Sequence, residues 1–345
     1  MKRTPLLRPM LLLVVLAVSA AALPAQDIHF SQFYNAPINL NPGLTGIFGG
    51  DVRFVGNYRS QWRAVRVPYT TFSAGVENKV YPWREVYNKY FTAGLLINYD
   101  RQGSLELTSM QIGIPISYVQ PVSKKSFLSL GITPAFGQRA FNTHQWSFDA
   151  QFVDCLYNPG APTMEDGSLF STNLQYFDLG VGLNYRYQAA RNRSRFDFGG
   201  AFHHVNRPNH DFWTNSKDVR LAVRKAFYGI GLVQMTDNFD LLGQVMFQEQ
   251  GTYRELLYGA GARIMLNTNM YEELAIQVSA SFRQRYTDAF VAQLEFFYRT
   301  WSLGLSYDVN FSDFTVATNY RGGPEVSLIY RLYKNKPVYQ QCPID

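Results

Sequence analysis

The chain has 345 residues and a formal net charge of +6, with 17% charged, 16% aromatic and 46% apolar side chains. So few charges cannot coat an ordinary solvated exterior, while the apolar share is no higher than in a soluble domain, a pairing that suits a wall apolar on one side and polar on the other. The basic excess is spread without a long Lys/Arg run, which argues against nucleic acid as a partner.

Lys2, Arg3 and Arg8 precede an apolar run from Met10 to Val18, followed by small residues from Ser19 to Ala22. This positive, apolar, small-residue order predicts a signal peptide over residues 1–25. Cleavage after Ala25 leaves Gln26 as the mature start, and cleavage after Ala22 is the alternative. The run is shorter than the roughly twenty residues a spanning helix needs. No Cys follows the small residues, which argues against a lipoprotein. Beyond residue 25 no apolar run reaches spanning length, so a helical inner-membrane protein is excluded.

Residues 26–50 are read as a periplasmic N-terminal segment. Asn41-Pro42-Gly43 forces a turn, so the segment folds back before any strand begins. Phe30, Phe33 and Tyr34 are then placed to plug or line the inner mouth of whatever follows.

From residue 51 the pattern changes to alternation. Phe177, Leu179, Val181, Leu183, Tyr185 and Tyr187 share one face; Asp178, Gly180, Gly182, Asn184, Arg186 and Gln188 share the other. Leu274 to Phe282, Phe290 to Tyr298 and Trp301 to Val309 repeat the theme. A soluble β-sandwich also alternates. Here, however, the polar faces carry large charged groups in mid-strand and the apolar faces end in aromatics, as in a barrel with a wet lumen and a lipid-facing girdle. About fourteen strands are expected, starting near Val52, Thr70, Tyr90, Ser104, Lys125, Gln175, Arg195, Leu221, Phe239, Tyr253, Glu272, Asp288, Trp301 and Glu325. The fold class is thus an all-β transmembrane antiparallel barrel of outer-membrane type over residues 51–335, with a periplasmic tail at 336–345. The longest connections, near 141–174, 206–220 and 311–324, are the fifth, seventh and thirteenth, and all face outward if both termini are periplasmic. The second, near 79–89, is long for a periplasmic turn.

Little points to catalysis. No Gly-x-Ser-x-Gly elbow and no phosphate loop occurs, and no enzyme activity or cofactor is expected. His203 and His204 are adjacent on an expected strand, so their rings should point to opposite faces and cannot share a metal. His144, near Asp149 and Asp154, reads as an ordinary polar loop residue. Cys155 and Cys342 set no disulfide framework. Arg186, Arg283, Glu295 and Arg299 are expected in the lumen, where they either tune a channel or anchor a plug, or pair as charges that fix the barrel. Gly94, Gly113, Gly180, Gly182, Gly259 and Gly261 either make room for a luminal segment or leave a channel.

Several stretches are distinctive: Asp27-Ile28-His29-Phe30-Ser31-Gln32-Phe33-Tyr34-Asn35-Ala36-Pro37, Asn39-Leu40-Asn41-Pro42-Gly43-Leu44-Thr45-Gly46, Asn57-Tyr58-Arg59-Ser60-Gln61-Trp62, and the C-terminal Ser306-Tyr307-Asp308-Val309-Asn310 and Gly322-Gly323-Pro324-Glu325-Val326-Ser327-Leu328. Over nearly the whole mature chain this resembles the PorP/SprF family of the Bacteroidetes type IX secretion system. The resemblance implies a non-catalytic outer-membrane barrel that supports secretion and surface anchoring of large surface proteins such as gliding adhesins. Its implied partners are that cargo, other type IX components, outer-membrane lipid and lipopolysaccharide. Phe30, Gln32, Phe33, Asn41, Pro42, Arg59, Gln61 and Trp62 are the candidate partner-binding or structural residues. Trp62, with Arg59 and Arg63, is expected at the outer rim, where guanidiniums meet lipopolysaccharide phosphates. Family tails tend to close with Cys-Pro-Arg and an aromatic; this one ends Cys342-Pro343-Ile344-Asp345, which leaves a role for its last residues open. A passive pore or hydrophobic-solute transporter, and a rim-site hydrolase, share the barrel features and are the competing readings.

Overall fold

The computed structural model describes residues 27–61, 63, 69–81, 89–103, 106–141, 148–153, 156–163, 171–212, 219–268, 273–284, 288–312 and 315–334. The expected signal peptide, Trp62, His144, Cys155, Cys342 and the tail from residue 335 lie outside them.

Fourteen antiparallel strands among the described residues close into one barrel. They are β1 Val52–Gln61, β2 Tyr69–Val80, β3 Tyr90–Gln102, β4 in two pieces (Leu107–Gly113 and Ile116–Ser123), β5 Ser126–Ala140, β6 Asn173–Gln188 and β7 Arg195–His203. Then follow β8 Arg224–Gln234, β9 Phe239–Gln250, β10 Tyr253–Asn267, β11 Leu274–Gln284, β12 Ala289–Tyr298, β13 Trp301–Asn310 and β14 Arg321–Leu332. Closure runs from Val52 opposite Leu332 to Arg59 opposite Glu325. It removes both sheet edges, whose unpaired N–H and C=O groups hydrocarbon could not satisfy. Between its two pieces β4 stays joined to its neighbours: Ile114 N donates to Pro134 O and Gly94 N to Pro115 O, both at 2.9 Å.

The expected starts at Val52, Tyr90, Arg195, Phe239, Tyr253 and Trp301 coincide with observed ones. The widest departure is β14, which opens at Arg321 instead of Glu325. Gly322-Gly323-Pro324 looks like a breaker in sequence, yet Pro324 pairs opposite Tyr307 on β13.

Alternation sorts the two faces. Phe54, Tyr58, Phe72, Leu95, Phe177, Val278, Leu303 and Leu305 are exposed on the outer face, a band no soluble surface would carry. Arg53, Asn57, Arg59, Glu77, Asn98, Asp178, Glu255, Gln277, Glu295 and Glu325 are buried on the inner face. At one end Trp301 stacks on Tyr330, ring centroids 4.2 Å apart, in the manner of an interfacial girdle. The strand ends that flank 141–172, 204–223 and 311–320 lie at the opposite end, and the turns Lys124-Lys125, 235–238 and Arg299-Thr300 at the Trp301 end. Arg299 is not in the lumen as expected: it occupies the left-handed region (φ 54°) of that exposed turn, its guanidinium 5.1 Å from the Tyr298 ring centre.

The segment assigned to the periplasm lies instead inside the barrel. Residues 27–50 pass down the lumen from the long-loop end to the short-turn end as three single turns: Phe33–Asn35, Pro37–Leu40 and Pro42–Leu44. Proline opens two of them, where a missing N–H is harmless and φ is already set. Phe33, Leu40, Leu44 and Ile47 pack against Val119, Ala226, Tyr228, Met246 and Leu257 of the wall. Each such side chain contributes roughly 1.5–3 kcal/mol on burial, which holds the segment in the cylinder in place of water.

Candidate functional site

The lumen and the segment that fills it form the candidate site, and the wall holds that segment mainly by its backbone. Glu325 on β14 accepts two consecutive amides, Ser31 N at 2.8 Å and Gln32 N at 2.9 Å. Arg59 on β1 donates from Nη1 to the His29 carbonyl at 2.6 Å and from Nη2 to Asp308 Oδ2 at 2.7 Å. Arg283 on β11 links Glu255 (2.6 Å), Asp308 (3.2 Å) and the Ser31 hydroxyl (2.7 Å). The rim position expected for Arg59 is therefore wrong. Strand parity turns it inward with Arg53 and Asn57, and at 1% exposure it has no access to lipopolysaccharide.

Such a network holds only if complete, because removing one partner leaves a buried charge at a cost of about 3–5 kcal/mol. His29, enclosed beside Arg59, is pushed down to about 3 by burial and by that guanidinium, so it stays neutral.

Gln32 is fully buried. Its amide nitrogen donates to Ser306 Oγ (3.0 Å) and its carbonyl oxygen accepts from Asn35 (3.0 Å) and Ser327 Oγ (2.9 Å). Tyr34 donates its hydroxyl to Glu295 on β12, and burial with the Glu295 charge keeps that phenol far above its usual range. Lower down, Asn41 donates to the Leu183 carbonyl (2.9 Å) and Tyr228 hydroxyl (3.0 Å), and accepts from Gly43 N (2.7 Å). The wall is glycine where this turn touches it. A Cβ on Gly182 would stand 1.8 Å from Asn41 Oδ1, and one on Gly131 would stand 2.1 Å from the Pro42 carbonyl oxygen. Gly182 was among the glycines expected to make room; Gly131 was not. Gly259 and Gly261 instead abut the next strand at Ser281 and Ser279. At the short-turn end Glu77 accepts from Gly46 N (2.7 Å) and pairs with Arg53 (2.5 Å), while Lys79 donates to the Phe48 carbonyl at 2.5 Å.

The top of the segment is latched separately. Asp27 Oδ2 lies 3.2 Å from Arg224 Nη1 and 3.1 Å from His204 Nε2, and His204 Nδ1 lies 2.9 Å from Asp178 Oδ1. The opposite-face expectation for the histidine pair fails here. β7 ends at His203, and His204 turns through a positive φ of 58°, so both rings are buried, with His203 bonded to the Leu40 carbonyl at 3.3 Å. Burial opposes the His204 charge, but Asp178 and Asp27 outweigh it and hold the imidazolium up to about 9. Burial likewise opposes charge on Asp27, yet Arg224 and His204 keep its carboxyl below the usual range. Among the described residues no cluster of His, Cys, Asp and Glu is placed to hold a metal.

Of the expected residues, Phe30, Gln32, Phe33, Asn41, Pro42 and Arg59 meet in the lumen, and Gln61 stands at the end of β1 opposite Tyr69. Ser31, Arg53, Glu77, Tyr228 and Arg224 also bond the segment to the wall and were not among the candidate residues. For the four wall residues the available signal was a charged or hydrogen-bonding side chain in phase with the inward face of a strand; Ser31 lies on the luminal segment and had no such signal.

The family described as type IX secretion system membrane protein PorP/SprF matches residues 22–330. That span takes in the luminal segment and every strand but the last two residues of β14. The chain belongs to the PorP/SprF family. It is a type IX secretion system membrane protein built as an outer-membrane β-barrel. No curated protein matches it. Among solved structures, this PorP/SprF chain is similar to the Pseudomonas putida toluene transporter TodX, at 10% identity and a TM-score of 0.49, over 86% of this chain and 92% of that one. It is also similar to the CymD monoaromatic hydrocarbon channel (10%, TM-score 0.48, 88% and 94%) and to the translocator domain of the autotransporter NalP from Neisseria meningitidis (12%, 0.33, 88% and 96%). Likeness at that level says nothing about cargo.

Proposed function

We propose that this PorP/SprF barrel is a non-catalytic component that supports secretion and surface anchoring of large surface proteins such as gliding adhesins. The observation that carries the reading is the filled lumen. Residues 27–48 are hydrogen-bonded to β1, β2, β6, β8, β11, β12 and β14 along their length, so the cylinder serves as a stiff, closed platform. Cargo and other type IX components then meet its loops and rims, with the long-loop end outward and lipopolysaccharide around the girdle. A passive pore or hydrophobic-solute transporter needs a continuous path, which the segment occupies.

The test is deletion of the gene followed by surface labelling for a large adhesin. Loss of surface display with unchanged small-solute uptake is the expected result. Normal display with altered uptake overturns the proposal in favour of the pore. Conductance of the purified barrel in liposomes gives a second readout, expected to be near zero.

A further inference from the structure

The two halves of the lumen differ in charge balance. Toward the long loops the inward arginines are largely paired: Arg59 with Asp308, Arg283 with Glu255 and Asp308, and Arg224 with Asp27. Toward the short turns the carboxylates are taken and arginines are left over. Glu77 is held by Arg53, Asp197 by Arg186 and Asp240 by Arg193.

Arg195 at the start of β7, Arg263 near the end of β10 and Arg331 near the end of β14 make no ion pair among the described residues. Parity puts Arg195 on the inward face with Asp197, Arg263 with Met265 and Arg331 with Ile329. Arg263 finds a neutral acceptor, Gln277 Oε1 at 2.8 Å from Nη2, and lies over the Phe297 ring at 4.2 Å. The Nε of Arg331 is buried without a partner. All three lie on the inward face at the short-turn end of the wall, and Arg331 stands opposite Arg53 in the ladder between β14 and β1. Glu273 on the rim acts on Arg263 and Arg331 only from beyond ion-pair distance, and Glu295 is engaged by Tyr34 and Gln277.

Like charges gathered in a partly desolvated mouth repel one another, and a bound anion removes that cost. We infer that the short-turn mouth of the barrel is a docking site for an acidic polypeptide segment, with Arg195, Arg263 and Arg331 as its contacts. Lipid headgroups cannot reach side chains on the inward face. The three guanidiniums come from β7, β10 and β14, so a segment carrying several carboxylates complements them. The inference rests on the secretion-component reading, which turns this mouth toward the periplasm and toward other proteins.

The test uses the purified full-length barrel in detergent and a fluorescein-labelled octaglutamate peptide, followed by anisotropy. Wild type binds, and affinity falls as salt rises. The Arg195→Gln/Arg263→Gln/Arg331→Gln variant loses about tenfold or more in affinity, while the corresponding triple Lys variant, which keeps the charge, stays within about threefold of wild type. Heat-modified gel mobility establishes that each variant is folded. No binding by wild type, or equal binding by a folded triple Gln variant, overturns the inference. Displacement of the peptide by millimolar inorganic phosphate at matched ionic strength assigns the mouth to a phosphate ligand and overturns it as well. This assay involves no secretion, so its failure leaves the adhesin result standing and the reverse also holds.

Discussion

Gln32 and Glu325 are 293 positions apart, yet the Gln32 amide donates to the Glu325 carboxylate at 2.9 Å while the Gln32 side chain donates to the Glu325 backbone carbonyl at 3.3 Å. The beginning and end of the chain are thereby fastened at the seam where β14 meets β1, so the segment that fills the barrel also locks its closure.

Glu325→Ala strips the acceptor from two buried amides and from the nearby Arg59 guanidinium. A destabilisation of about 3–5 kcal/mol is expected, as for other broken buried pairs. Glu325→Gln keeps one acceptor oxygen and costs less. Thermal unfolding followed by heat-modified gel mobility checks the order wild type, Gln, Ala.

Gly182→Val drives a side chain into Asn41, whose oxygen already stands 1.8 Å from where a Cβ would be. The strands of the wall are fixed by their ladders, so the turn at Asn41-Pro42-Gly43 gives way. Liposome conductance is expected to be near zero for wild type, to show discrete openings in this variant and larger ones when residues 27–48 are deleted.

Asn41→Ala removes three hydrogen bonds and leaves the Gly43 N–H without its acceptor. The expected cost is about 2 kcal/mol, most of it the penalty of unsatisfied buried groups. Hydrogen exchange should report it locally, with faster exchange at Gly43 and Thr45 and unchanged exchange in β9.

The Asp27–His204–Asp178 latch sets a pH window. His204 is raised from its ordinary value near 6.5 to about 9, so its contribution is complete below about pH 6.5 and is lost as pH rises through 9. Asp27 is lowered, so its contribution is present above about pH 4 and is lost only as pH falls through the lower folded value. An environment-sensitive fluorophore attached at position 28 should show the latch opening near pH 9 in the wild type. The same transition should be absent in His204→Gln.

Val278 lies mid-strand on β11 with its side chain turned out of the barrel, 56% exposed. Val278→Arg places a charge where the hydrocarbon should be, at an expected cost of about 2–4 kcal/mol when folding into lipid vesicles. A soluble β-sandwich would gain solubility from the same change.

The sequence by itself determined the wall. Strand parity is local, so Phe177 to Tyr187 and Trp301 to Val309 declare a greasy face and a wet one, and the strand count, the starts and the placing of the long connections follow from it. The residues it singled out near the start, Phe30, Gln32, Phe33, Asn41 and Pro42, lie in the lumen and not in the periplasm where the segment was placed. Only the tertiary structure decided what occupies the cylinder. Arg59 went from rim to lumen because a local girdle argument ignored its phase with Arg53 and Asn57. His204 went inward because one residue beyond β7 takes a left-handed turn that no alternation predicts. The pairing of Glu325 with Gln32, the clearance of Gly131 for Pro42 and the leftover charge of Arg195, Arg263 and Arg331 all depend on closure bringing distant strands around one axis. No pattern within a single strand contains that information.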